Sequence, residues 1–123
     1  MENFGAYLKK LRLVKDFGQR SFAKKIGILP SNLCHIETGR LGAPQDHELL
    51  LKIAETLQLK DGSAESNKFF DLATKKGQIP ADVACYLEET DIIEELPLMA
   101  RTIKNKKLTK IEIEKLIEDI RKK

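Results

Sequence analysis

Apolar residues recur three and four positions apart along this chain, in short runs that a glycine, a proline or a polar cluster repeatedly ends. Phe4, Tyr7, Leu8, Leu11 and Val14 form one stripe, with Lys9, Lys10 and Lys15 off it, and Asp16-Phe17-Gly18 breaks it. Phe22, Ala23 and Ile26 form a second, ended by Gly27. Leu29-Pro30 restarts the chain, Leu33 and Ile36 follow, and Gly39 stops that run. Asp46 reads as an N-cap ahead of Leu49, Leu50, Ile53, Ala54 and Leu57. This spacing marks one face of an α-helix, whereas a half-buried strand alternates with period two. No stretch sustains that alternation, so the chain is expected to be all-α, with about eight or nine short helices.

Asp61-Gly62-Ser63 is the candidate domain boundary, giving domains 1–60 and 61–123. Beyond it, a helix around 65–76 would bury Phe69, Phe70, Leu72 and Ala73, with Gly77 closing it and Pro80 opening the next. Pro97 must stand at a helix start or a kink, because it lacks the N–H and clashes with the preceding turn. Thr109 and Glu112 have the spacing of a capping box. Behind them Ile113, Leu116, Ile117 and Ile120 lie on one stripe and are the candidates for a dimer contact.

Composition removes several classes. Apolar residues make up 41% and charged residues 33%, enough for a folded core. No apolar run approaches the roughly 18 residues that a bilayer-spanning helix needs, so no membrane partner is expected. The start, Met1-Glu-Asn-Phe, has neither the basic nor the apolar stretch of a signal peptide. Cys34 and Cys85 lie 51 positions apart, without metal-type spacing, and read as reduced thiols of a cytoplasmic chain. His47 has no ligand partner near it in sequence. With no nucleophile–base pair, paired carboxylates or metal cluster, neither an enzyme nor a cofactor nor a metal is expected.

The charge is unevenly spread. Residues 1–60 hold ten Lys and Arg against six Asp and Glu, a net +4; residues 61–123 hold twelve against thirteen, a net −1; together they give the chain its +3. A basic first half points toward an acidic partner, nucleic acid above all. In the second half no Lys or Arg occurs between 81 and 97, and no acid between 98 and 110. Segments of opposite sign can pair between two chains and fix their register.

Residues 19–39 carry the functional signal. Two helices of about eight residues, joined by a turn containing Gly27, have the layout of a helix-turn-helix, whose second helix enters the major groove of DNA. Ala23 is small enough for a close crossing, Gly27 allows a positive φ, and Leu33 and Ile36 pack from one side only. The opposite face, with Ser31, Asn32 and His35, is left free.

The stretch from Phe4 to Leu59, nearly half the chain, resembles the phage-repressor-like (Xre-type) helix-turn-helix family of bacterial transcription regulators. The resemblance rests on Gln19, Phe22-Ala23, Gly27, Leu33, Ile36-Glu37, Gly39 and the run from Leu49 to Leu59. It implies a five-helix, lambda-repressor-like DNA-binding domain followed by a helical C-terminal extension. It further implies a nucleoid-associated regulator, a repressor that binds a near-palindromic operator as a homodimer. Ser31, Asn32 and His35 then fall where the family reads base edges. Gln19, Arg20, Lys24 and Arg40 fall at phosphate-contact positions, with Gln19 also bracing the recognition helix and Lys9 a weaker contact. Arg12 and Glu37 fall where many members keep an ion pair that holds the fold. Two departures stand out: neither Gly18 nor Leu29 supplies the capping side chain usual before the two helices, and residues 30–38 contain no Lys or Arg. The commonest base contact, arginine to guanine, is therefore missing. Two other readings are an antitoxin or regulatory partner of a toxin or protease, whose second half binds that protein, and an interaction module that has lost DNA binding.

Overall fold

The helices start and stop at residues whose chemistry accounts for them. The computed structural model describes residues 2–123, and among them are eight α-helices, one 3-10 helix and no strand, so the chain is all-α. In the first helix, α1 (Phe4–Val14), the Asn3 side chain accepts from the Ala6 N–H at 2.8 Å. Next come α2 (Gln19–Ile26) and α3 (Pro30–Glu37); neither has a side-chain cap, and Pro30 opens α3 where its missing N–H costs nothing. Asp46 caps α4 (His47–Thr56), accepting from the Glu48 N–H at 3.0 Å. Ser63 caps α5 (Ala64–Ala73), accepting from the Ser66 N–H at 3.1 Å.

Two compact units divide the chain, the first ending at Cys85 and the second running Tyr86–Lys123. The helix α6 (Ala81–Glu89) straddles that division. In the first unit, α1 packs on α3 and α5, and α2 packs on α3 and α4. Phe22, Phe69, Leu8, Ile26, Leu33, Ile53 and Leu57 are its most completely buried large side chains. Each such side chain contributes about 1.5–3 kcal/mol by leaving water. Phe69 stacks obliquely on Phe4 at 5.2 Å between ring centres and meets Phe70 edge-on at 5.1 Å. The break at 61–63 is a capped turn that lies within the first compact unit. A helical period shows that Phe69 and Phe70 share an apolar face but not which neighbour covers it. Val14, placed on the α1 stripe by spacing, is 67% exposed because the stripe reaches the end of the helix.

Asp82 sits in the first turn of α6, and its Oδ1 is buried with no hydrogen-bond partner. Burial pushes its carboxyl pKa above the ordinary value, and the charges of Asp61 and Asp71 push the same way.

In the second unit a 3-10 helix (Asp91–Glu95) leads into α7 (Leu96–Lys106), with Pro97 in its first turn, and then α8 (Lys110–Arg121). Lys107 takes the left-handed conformation (φ 50°) that closes α7. Thr109 and Glu112 form the expected capping box. None of these three helices has a buried residue. No helix among the described residues is long and apolar enough to cross a membrane.

Candidate nucleic-acid interface

The α2–α3 pair consists of two eight-residue helices joined by residues 27–29. Gly27 has φ 80°, a backbone state that costs glycine little, and the reversal is closed by hydrogen bonds from Gly27 N to the Lys24 carbonyl and from Ile28 N to the Ala23 carbonyl. Phe22, Ala23 and Ile26 bury one side of α2. Leu33, Ile36 and Glu37 bury one side of α3. Residues three and four apart share a helix face, so Ser31, Asn32 and His35 lie together opposite Leu33. Ser31 and Asn32 are exposed and His35 is half-buried.

The position of α3 is fixed by a polar cluster beneath it. Arg12 of α1 grips Glu37 with two parallel hydrogen bonds, Nε to Oε2 at 2.7 Å and Nη2 to Oε1 at 2.9 Å. Its remaining guanidinium nitrogen, Nη1, donates to the Phe17 carbonyl at 2.8 Å. Arg12 and Glu37 are only 6% and 8% exposed, so this pair is held away from screening water. Gln19 donates from its side-chain amide to Glu37 Oε1 at 3.2 Å. The first residue of α2, the last of α3 and the last turn of α1 are thus tied at one carboxylate. Just past Glu37, at the same end of α3, Thr38 Oγ1 donates to the Cys34 carbonyl, and Leu41 N donates to the His35 carbonyl at 3.0 Å, folding the next segment back against the helix.

Arg20 and Lys24, four apart on the outer side of α2, are exposed, as are Lys9 on α1 and Arg40 just past Gly39. Two other cations are engaged by the protein. Lys25 lies over the Phe17 ring, 4.8 Å from its centre, and Lys68 bonds Glu2 at 2.6 Å while lying over Tyr7. Within the Lys68–Glu2 pair the hydrogen bond lowers the Glu2 pKa and raises that of Lys68, each favouring the other's charge. The surface therefore carries polar, uncharged side chains on α3, with exposed cations on α1, on α2 and beyond the end of α3. Such a surface suits a polyanion whose phosphates flank a groove.

Spacing alone does not reveal Gly5. On α1 it meets the α3 backbone, and a Cβ there would run into the Ile36 carbonyl oxygen and come within 3.2 Å of the Glu37 carbonyl. A glycine inside an apolar helical stripe is the signal that marks such a contact. The stripe Ile113, Leu116, Ile117 and Ile120 belongs to the second unit; Ile113 is half-buried and the other three are exposed. Protein-family models, curated proteins and solved structures were all compared with the chain, and none matches it.

Proposed function

We propose that this protein is a sequence-specific DNA-binding transcription regulator of the phage-repressor-like kind that its first half resembles. In this reading it is a repressor that acts as a homodimer on a near-palindromic operator and catalyses no reaction. The observation that carries the reading is the α2–α3 pair, whose outer α3 face holds Ser31 and Asn32 exposed and His35 half-buried beside them, while Glu37 anchors the inner side. The α3 helix would lie in the major groove, where its N-terminal residues meet base edges. Asn32 has the paired donor and acceptor that match adenine N6 and N7. Arg20, Lys24 and Arg40 would hold phosphates, and so would Gln19 with whatever capacity its bond to Glu37 leaves. Because no Lys or Arg lies between 30 and 38, positive charge positions the protein and neutral side chains read the sequence.

This division of labour is tested by two variants on DNA sites selected from a random pool. Asn32→Ala should lose discrimination at one base pair, worth about 1–3 kcal/mol there, and keep its salt dependence. Arg40→Ala should weaken all duplexes alike and reduce the salt slope by about one. Identical behaviour of the two variants would contradict the assignment.

A further inference from the structure

The second unit lacks what a folded unit normally has. It spans Tyr86–Lys123, yet its 3-10 helix, α7 and α8 bury no residue. Leu98 and Met99 of α7 are 65% and 55% exposed, and Ile120 of α8 is 67% exposed. A unit this small buries too little apolar surface to be stable by itself, and association is one of the usual remedies.

The charges around α7 say what kind of partner fits. Five acidic residues lie between Glu88 and Glu95, ahead of the helix, and five basic residues lie between Arg101 and Lys110, on its second half and just beyond. Among the described residues the ion pairs are Arg12–Glu37, Lys68–Glu2 and Arg121–Glu118, so neither group is paired with the other within the chain. The eleven residues of α7 span about 16 Å. Only the outer members of the two groups are that far apart; Glu95 and Arg101 are six residues apart, about 9 Å of helical rise, which is about the distance over which physiological salt screens exposed charges. A surface that is acidic at one end and basic at the other is complementary to itself reversed.

We propose that two copies of this chain pair through α7 in antiparallel fashion. The acidic end of each copy lies against the basic end of the other, and Met99 and Leu98 are covered near the two-fold axis. Packed helices sit 8–10 Å apart, close enough for the opposed ends to attract, and the opposed helix dipoles add to the fit. The pairing surface is isologous, as closed dimers require. This deepens the homodimer reading above by naming its surface, and its test contains no DNA, so failure here and failure of DNA binding are told apart.

The test is charge reversal with complementation in the full chain, read by sedimentation. Glu94→Lys with Glu95→Lys cuts the acidic group from five negative charges to a net of one; Lys104→Glu with Lys106→Glu cuts the basic group from five positive charges to a net of one. Each double variant alone should dimerise at least about tenfold more weakly than the native chain. An equimolar mixture should regain much of the native dimerisation, because the intact basic group of one variant then meets the intact acidic group of the other. Recovery on mixing also shows that neither variant had simply unfolded. The proposal is overturned if the native chain is a monomer at tens of micromolar, if the reversals leave assembly unchanged, or if mixing restores nothing.

Discussion

Glu37 accepts three hydrogen bonds from two side chains, Arg12 and Gln19, and through them it sets where α3 lies. A buried ion pair is weak evidence of net stability, but removing one partner leaves an uncompensated buried charge. Glu37→Ala should therefore cost about 3–5 kcal/mol in urea unfolding, through a lower midpoint at an unchanged slope. A much smaller loss would mean that Arg12 finds water or another acceptor. The pair is legible in sequence only through the family resemblance, since 25 residues separate its members. Its connection to the Phe17 carbonyl and to Gln19 requires the fold.

Asp82 is the opposite case, a carboxyl that the fold penalises. Its pKa is raised in the folded state, so the folded protein holds that proton more tightly than the unfolded chain does. Its contribution to stability is then most favourable below the ordinary carboxyl pKa, about 4, and is lost as pH rises through the folded value. Asp82→Asn, which is neutral throughout, should raise the melting temperature at pH 7 and lose that advantage below about pH 4. An equal advantage at both pH values would place the effect elsewhere.

At the scale of helices, α1 and α3 approach so closely that one hydrogen at Gly5 is all that fits beneath the Ile36 carbonyl. Helix propensity favours alanine over glycine by about 1 kcal/mol. Overpacking against backbone costs about 1–3 kcal/mol and cannot be relieved by a rotamer change. Gly5→Ala should therefore destabilise the protein despite the better helix former, as a thermal melt would show. An increase in melting temperature would mean that the two helices can separate freely.

Most of the helices are legible because each writes its own period and caps: Asp46, Ser63 and the Thr109–Glu112 box all stand where helices start. The reach of the core to Phe69 and Phe70 is not legible, because periodicity gives a face without its partner. For the same reason the compact unit continues to Cys85 although the chain punctuates strongly at Asp61-Gly62-Ser63. Of the candidate interface, the identity of the outward residues on α3 follows from spacing, while the fixing of that helix at Glu37 follows only from distances. Gly18 and Leu29, named in the sequence as poor caps, indeed leave both helix starts without a side-chain bond.

Across the whole molecule a net charge of +3 says little, but its distribution says more. The excess is on the half that carries α2 and α3, and exposed cations stand on α1, on α2 and past α3 rather than on the neutral face of α3. The second unit holds nine Lys and Arg against nine Asp and Glu and is rich in exposed apolar side chains. The central claim, that the first unit reads DNA and that its cations hold the backbone, is tested most directly by titrating the full chain against a duplex selected from random DNA and against a scrambled duplex at two salt concentrations. Tighter binding to the selected duplex, with affinity for both falling steeply as salt rises, is the predicted result. Equal affinity for the two duplexes, a response flat in salt, or no binding would contradict it.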